Sequence, residues 1–237
     1  MIDYGLKLMT LALTLAFSGV SVLSQMPGNP DNWCRQGFFT RDSTDFAVGV
    51  AKGRKETKTY FHRDDIETCP DMASCRTKSY VVAGDKVITN RKRGGFVCAW
   101  FAPLKGAPTV GWLNSSKLDF PNLLLDAREQ DWVGEWKYAE NNIIFAATKQ
   151  PGTLTVKGNA FWKGLGDNIH IGELDGAAKY TDGKLEYSDG IGGYDCRVSM
   201  QLVTESFLIV ADNMNCGGAN VTFSGVYRKA PVKPKKN

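Results

Sequence analysis

Apolar and polar residues alternate over short segments in the second half of the chain. The clearest case is residues 196–202, CRVSMQL, in which every second residue is apolar. Successive side chains of a β-strand point to opposite faces, so a period of two predicts a half-buried strand. The same alternation over residues 220–228 predicts a last strand near the end of the chain.

Eight or nine such segments follow one another between residues 132 and 229. They are GEWKY, NNIIFAAT, GTLTVKG, NAFWKG, DNIHIGEL, KLEYSDG, YDCRVSMQLV, SFLIVAD and ANVTFSGVYRK. Antiparallel strands at this density close into a small up-and-down barrel or form a sandwich. A barrel of eight strands has an interior just wide enough for side chains or for one small ligand.

The region from residue 33 to residue 118 is also rich in short strands. Residues 58–62, 78–91, 94–102 and 109–118 are β-rich and are separated by glycine, proline and charged turns. In residues 119–131 the pattern changes, and Leu123, Leu124 and Ala127 suit a short helical connector. The predicted fold is all-β, with two small antiparallel barrels, over residues 33–118 and 132–229, joined by that connector.

The first 24 residues have the layout of a secretory signal. Lys7 precedes an apolar run over residues 8–23, and Val22 and Ser24 fit the small-residue rule for cleavage after Ser24. The alternative is a retained membrane anchor, but the run is shorter than the ~20 apolar residues of a spanning helix. We expect an exported soluble protein without stable membrane insertion after cleavage. The stretch MPGNPDNW that follows is typical of a linker.

Six cysteines, an even number in a chain with an export signal, predict disulfides. The long gap between Cys98 and Cys196 favours a split into four and two, which pairs Cys196 with Cys216. Among the first four cysteines the favoured pairs are Cys69 with Cys75 and Cys34 with Cys98, while other pairings stay open. No two cysteines are separated by only two residues, so we predict no metal site and no cofactor.

No motif in the sequence indicates catalysis. The nucleophile elbow, the phosphate-binding loop and the zinc-protease helix are all missing from the sequence. His170 and Glu173 would project to opposite faces of a strand, so a surface or hydrogen-bonded histidine is expected at position 170. The neighbouring carboxylates Asp64 and Asp65 are expected in a solvated turn. We therefore predict no catalytic residue.

The net charge of +4 comes from 29 Lys and Arg against 25 Asp and Glu. Two basic clusters stand out, NRKRGG at residues 90–95 and the tail within residues 228–237, of which residues 230–237 lie beyond the last domain. Such clusters attract anionic cell-wall polymers, lipid or nucleic acid, although a solvated turn and a disordered tail are the simpler interpretation. Export makes nucleic acid the least expected of these partners.

Tryptophans are the other candidates for ligand contact. Indole rings stack on the apolar faces of sugars as they do on cations, although in barrels this small they are usually core residues. The candidate contact residues of the first domain are Arg91, Lys92, Arg93, Trp100 and Trp112.

The first domain resembles the bacterial SH3-like domain over about residues 57–118. The segments YVVAGDKV, FVCAWF and TVGWLNSSKL carry the resemblance, with Gly84-Asp85, Cys98 and Gly111-Trp112-Leu113 in the family's order and spacing. The resemblance implies a five-stranded barrel that serves as a binding module.

The second domain resembles lipocalin-like and lysozyme-inhibitor barrels at its first and last strands, WVGEW and FSGVYRK. In those barrels an early Gly-x-Trp packs against a late basic residue. Residues 196–229 are also similar to the C-terminal region of the LprI type of secreted lysozyme inhibitor and of other exported bacterial proteins.

These features together predict an exported, non-catalytic binding protein of the bacterial envelope, periplasmic or secreted. Its partner is expected to be cell-wall glycan or peptide, bound through the SH3-like module, or a secreted protein. One alternative is an inhibitor of lysozyme or another secreted enzyme. A second alternative is a carrier of a small ligand inside the second barrel.

Overall fold

The computed structural model of the chain describes residues 27–41, 45–121 and 127–231. The predicted signal at residues 1–24, part of the connector and most of the basic tail lie outside the described residues. Across the ranges that are described, no helix combines the length and apolarity that a membrane span requires.

The all-β prediction is confirmed: antiparallel strands form two sheets, with almost no helix. The first sheet, which we call the curled sheet, has seven strands in the order β3-β2-β6-β5-β4-β1-β7 and forms an open half-barrel. Its strands are β1 (Ala47–Ala51), β2 (Lys58–His62), β3 (Arg76–Val82), β4 (Lys86–Arg93), β5 (Phe96–Phe101), β6 (Thr109–Asn114) and β7 (Leu118–Asp119).

Strand β1, AVGVA, was not predicted from the sequence. Its alanines and glycine are poor strand formers, and the strand exists because it pairs with β4 and β7. A Cβ atom at Gly49 would stand 3.2 Å from a methyl group of Val87 and 3.3 Å from one of Leu118. Because Gly49 has no side chain, the backbone of β1 can lie close to the methyl groups of Val87 and Leu118.

The stretch before the curled sheet is not the linker that the sequence predicted. Asn32 is fully buried, and its Nδ2 donates to the carbonyl oxygens of Glu67 (3.2 Å) and Cys69 (3.3 Å). The carbonyl oxygen of Asn32 accepts a hydrogen bond of 2.7 Å from Trp112 Nε1. The proline and glycine content suggested a spacer, but these tertiary hydrogen bonds bind the segment to the sheet.

The prediction that Asp64 lies in a solvated turn was wrong. Its side chain is buried, and it accepts hydrogen bonds from the Cys34 backbone N–H (2.7 Å) and from Arg35 Nε and Nη2 (2.8 Å each). A bidentate arginine–carboxylate pair is among the stronger polar contacts. Asp64 therefore anchors the leading segment, whereas Asp65 is exposed and pairs with Arg63 at 3.3 Å.

The second sheet closes on itself as an eight-stranded antiparallel barrel, in the order β10-β11-β12-β13-β14-β15-β8-β9. Its strands are β8 (Gly134–Tyr138), β9 (Asn141–Ala147), β10 (Thr153–Lys163), β11 (Ile169–Thr181), β12 (Lys184–Ser188), β13 (Arg197–Thr204), β14 (Phe207–Asp212) and β15 (Gly225–Lys229). The described part of the connector contributes the helix α1 (Glu129–Trp132), which lies at the end of the connector predicted over residues 119–131.

Several of the predicted barrel strands have different bounds in the structure. GTLTVKG and NAFWKG form one continuous strand, β10. The last strand begins only at Gly225, because residues 222–224 are held by a side chain instead of a neighbouring strand. The Asp212 carboxylate accepts hydrogen bonds from Thr222 Oγ1 (2.7 Å), Ser224 Oγ (2.7 Å) and the Phe223 N–H (2.8 Å).

Large side chains fill the described interior of the barrel. The largest fully buried ones are Trp132, Trp136, Phe145, Phe223 and Tyr227. The rings of Trp132 and Phe145 meet edge to face at 5.5 Å. This packing counts against the hypothesis of a small-ligand carrier, which needs an internal cavity.

Lys229 connects the last strand of the barrel to helix α1. Its Nζ donates to the carbonyl oxygens of Asp131 (2.6 Å) and Gln130 (3.3 Å) in α1, and it lies 5.2 Å from the centroid of the Trp136 ring. Burial lowers the pKa of this ammonium group, and Asp131 and Glu205 oppose the shift. The contact between a Gly-x-Trp and a late basic residue, implied by the resemblance to lipocalin-like barrels, is therefore present.

The curled sheet and the barrel share one apolar cluster. Its buried members are Cys34, Phe39, Val48, Ile88, Cys98, Trp100 and Trp112 on one side and Val203, Ile209 and Val226 on the other. Trp100 meets Phe207 of the barrel at 5.2 Å between ring centroids, edge to face. Gln36 Nε2 adds a hydrogen bond of 3.2 Å to the Tyr138 hydroxyl of the barrel.

Three disulfides join Cys34 to Cys98, Cys69 to Cys75 and Cys196 to Cys216. These are the pairs that the sequence favoured. Disulfides persist in oxidising compartments, so the chain belongs in an extracytoplasmic location.

Candidate functional site

The structure places the two tryptophans predicted for ligand contact inside the protein. Trp100 is 4% exposed and packs between the curled sheet and the barrel, and Trp112 is 1% exposed. Neither indole presents a face at the surface. Both side chains serve packing in this structure, the role that small barrels usually give to tryptophan.

The predicted basic residues 91–93 lie at the end of strand β4, before the Gly94-Gly95 turn, and not within the turn itself. Lys92 is exposed, with its Nζ 5.5 Å from the centroid of the Phe120 ring. Arg93 Nε lies 3.8 Å from Asp71 Oδ2, whereas Arg91 is half-buried. The three cations thus have different surroundings, and a ligand contact at Arg91–Arg93 stays a prediction.

Both histidines of the chain are hydrogen-bonded to backbone. His62 Nδ1 lies 2.8 Å from the Pro70 carbonyl oxygen, and His170 Nδ1 contacts the Ala219 carbonyl oxygen. The His170 ring also packs on Trp162, with 5.2 Å between centroids. Within the described ranges, no group of three or more His, Cys, Asp or Glu side chains is arranged to hold a metal ion.

A cluster of cations and tyrosines covers the outer face of β2 and β3. We call it the Tyr–cation patch, and it consists of Lys58, Tyr60, Arg76, Lys78 and Tyr80. The Arg76 guanidinium lies 3.6 Å from the centroid of the Tyr60 ring, and Lys58 Nζ lies 4.2 Å from that of Tyr80. The two tyrosine rings meet edge to face at 5.6 Å.

The pairing of β2 with β3 creates this patch. Tyr60 stands opposite Tyr80, while Phe61 and Val81 point to the opposite, buried face. The segments KTYFH and RTKSYVV contain no Asp or Glu, so neither strand contributes an acidic side chain to this face. The patch is also at the margin of the molecule, because β3 is an edge strand of the curled sheet.

The charge of the chain is unevenly distributed between its two halves. Residues 27–121 carry fifteen Lys and Arg and ten Asp and Glu, whereas residues 127–231 carry ten and thirteen. The part of the chain that carries the Tyr–cation patch is therefore basic, while the part that forms the barrel is mildly acidic. The modest net charge of the whole chain conceals this division.

Sequence reasoning missed the patch because it depends on two strands being adjacent in one particular register. The available signal was the repetition of Lys or Arg and Tyr at alternate positions in KTY and in RTKSY. Alternation places such residues on one face of each strand, but only the pairing brings the two faces together.

A polar groove crosses the outer face of the barrel. We call it the asparagine groove; its volume is about 300 Å³, and it is lined by Glu135, Lys137, Ala139, Glu140, Asn141, Asn142, Asn159 and Phe161. These residues come from β8, β9, β10 and the β8–β9 turn.

Internal hydrogen bonds hold the groove in shape. Asn142 Oδ1 accepts from the backbone N–H (3.2 Å) and Nδ2 (3.4 Å) of Asn159, and Asn142 Nδ2 donates to Glu135 Oε1 at 3.4 Å. Asn141 is buried, and its Oδ1 accepts from the Phe161 N–H at 3.0 Å while its Nδ2 donates to the Thr222 carbonyl oxygen at 2.9 Å. Asn141 therefore positions the strand that carries Phe161.

Comparison with protein-family models, with curated proteins and with solved structures finds no match to this chain. The resemblances to the SH3-like domain and to lysozyme inhibitors stay predictions. The functional argument therefore depends on the chemistry of the described surfaces.

Proposed function

We propose that this chain is an exported, non-catalytic binding protein of the bacterial envelope, periplasmic or secreted, that holds an anionic cell-wall polymer on the Tyr–cation patch. The observation that carries the proposal is the patch itself, with three cations and two tyrosines on one face to which neither strand contributes an acidic side chain. Peptidoglycan, whose stem peptides bear free carboxylates, is the first candidate polymer.

The stacking within the patch favours anion binding because it restricts the conformations of the cationic side chains before the ligand arrives. The guanidinium of Arg76 and the ammonium of Lys58 are held against ring faces, so less side-chain freedom is lost on binding. A guanidinium stacked on a ring keeps N–H donors at its edge, and this planar fork suits carboxylate and phosphate oxygens.

The surroundings support the same partner. Lys78 is exposed on the same face, and the curled sheet carries an excess of cations that attracts polyanions before contact. The three disulfides are consistent with a protein that works outside the cytoplasm, where such polymers lie. The resemblance to the SH3-like domain also suggests a wall-binding module.

Co-sedimentation with purified sacculi tests the proposal. Each exposed contact between a cation and an anion contributes roughly 0.2–1 kcal/mol, so replacing Lys58, Arg76 and Lys78 by Gln should weaken binding by about threefold to a hundredfold. Binding of the unchanged protein should weaken with added salt, since surface ion pairs are screened.

A matched control removes the same charge elsewhere. Lys149, Lys163 and Lys179 are exposed lysines of the barrel region, and their replacement by Gln lowers the net charge equally. This control should bind sacculi like the unchanged protein. Equal losses in the two triple variants would reject the patch as the site, and failure of the unchanged protein to sediment with sacculi would reject the proposal.

A comparison of sacculi with and without phosphate polymers shows which group is bound. Binding that persists after the phosphate polymers are removed indicates carboxylate, and binding that is lost indicates phosphate.

Inhibition of lysozyme or another secreted enzyme stays a prediction based on the C-terminal resemblance. The loop between β12 and β13 is the surface where it would be sought, because Ile191 and Tyr194 are fully or almost fully exposed there.

A further inference from the structure

The outer face of the barrel carries a continuous polar row across four strands. In the register of β8, β9, β10 and β11, Lys137 stands opposite Asn142, Asn142 opposite Asn159, and Asn159 opposite Glu173. Two amides thus occupy the middle of the row and one charge stands at each end. The row crosses the floor of the asparagine groove.

An apolar border lies beside this row. Phe161 stands opposite Ile171 on the neighbouring strand, and their side chains are 48% and 53% exposed. A phenyl ring and a branched aliphatic side chain next to each other on an outer barrel face are costly to leave in water. The combination of amides with an exposed aromatic ring suggests a ligand with both polar groups and an apolar face.

We propose that the asparagine groove is a second binding site, which holds a neutral oligosaccharide. Amide side chains both donate and accept hydrogen bonds, as sugar hydroxyl and acetamido groups require. The Phe161 ring and Ile171 would cover the apolar C–H face of a pyranose ring, as aromatic rings do in mixed polar and apolar contacts.

The Asn159 side chain has hydrogen-bonding groups that a ligand can use. Its backbone N–H and one Nδ2 hydrogen are directed at Asn142 Oδ1, whereas no described residue bonds its Oδ1 or its second Nδ2 hydrogen, which remain for a sugar. Asn159 is exposed, so these atoms reach the groove. The groove volume of about 300 Å³ is at the lower end of the range for small-molecule sites, roughly 300–1,000 Å³.

This site is independent of the proposed polymer contact. It lies on the barrel, and although Glu135, Lys137 and Glu140 also line it, the contacts proposed for the neutral sugar are amides and apolar side chains. The Tyr–cation patch lies on the curled sheet and uses cations. Glycan binding in the groove should therefore respond little to salt, in contrast to binding at the patch.

Isothermal titration calorimetry tests the inference, with the N-acetylglucosamine tetramer added to the disulfide-bonded protein. Replacing Asn159 or Phe161 by Ala should weaken binding about tenfold or more, because each removes a central contact. Thr155→Ala, on the same strand outside the groove, and Leu165→Ala, a fully exposed apolar side chain beyond it, are matched controls and should bind normally.

Absence of tetramer binding by the unchanged protein would overturn the inference, as would normal binding by both groove variants. The Lys58, Arg76 and Lys78 triple variant should still bind the tetramer. Loss of tetramer binding in that variant would place the sugar site on the curled sheet and overturn the assignment to the groove.

Discussion

Tyr227 shows that a correct prediction of burial leaves the surroundings of the buried polar group undetermined. Its alternation with polar neighbours indicated a buried side chain, and it is fully buried in the barrel. Its hydroxyl group, however, has no hydrogen-bond partner among the described residues, because the nearby Asn141 amide is engaged with Phe161 and Thr222. Burial raises the pKa of this phenol well above its usual value.

Replacing Tyr227 by Phe should raise the free energy of unfolding by about 1 kcal/mol at pH 7.5, because it removes an unsatisfied buried polar group. Above about pH 10 the phenol ionises in the unfolded chain but stays protonated in the folded protein, whose pKa is raised. The unchanged protein therefore loses stability as pH rises through this window, and the variant lacks that loss.

Urea unfolding at pH 7.5 and pH 10.5 measures both effects, and the difference between the two proteins should be larger at the higher pH. A variant less stable than the parent at pH 7.5 would show that the hydroxyl is well hydrogen-bonded.

At the scale of elements, the loops at one end of the barrel form a connected unit. The disulfide between Cys196 and Cys216 joins the start of β13 to the loop after β14, and Asn213 Nδ2 donates to the Asp195 carbonyl oxygen at 2.7 Å. The sequence suggested a strand from residue 219, whereas the Asp212 hydrogen bonds hold residues 222–224 outside any strand.

Removing this disulfide by changing Cys196 and Cys216 to Ser should lower the free energy of unfolding by about 3 kcal/mol, because the bond closes a long loop in the unfolded chain. The Cys69 and Cys75 pair spans only 6 residues against 20, so its removal should cost less, about 2 kcal/mol. Denaturant unfolding of the two double variants tests the order. A larger loss for the Cys69 and Cys75 pair would contradict it.

At the scale of the whole molecule, the apolar cluster between curled sheet and barrel makes the two parts one packed body. The sequence indicated two successive barrels joined by a connector, and nothing in their separate patterns indicated that Trp100 would pack on Phe207. Side chains that face another sheet have the same period of two as those that face their own core. The pattern therefore marks them as buried without naming their partner.

Truncating Trp100 to Ala should cost about 3 kcal/mol or more, the usual loss for a large buried aromatic side chain. It should also uncouple the two parts, so that one cooperative unfolding transition separates into two. Circular dichroism and tryptophan fluorescence recorded together measure this. Leu104→Ala, at a fully exposed side chain in the loop between β5 and β6, should keep the single transition. Two separate unfolding transitions in the unchanged protein would contradict the conclusion that the curled sheet and the barrel form one packed body.

The order of residues along the chain was sufficient to predict most strands, the all-β class and the cysteine pairs. Strand alternation and cysteine spacing are read directly from the sequence, so neither requires knowledge of the fold. Only the tertiary structure decided that Asp64 is buried against Arg35, that AVGVA becomes a strand, and that Trp100 is covered. It also placed the tyrosines of two strands side by side and the asparagines of two others in one groove. Strand register and sheet packing create these contacts, and both depend on partners far away in the sequence.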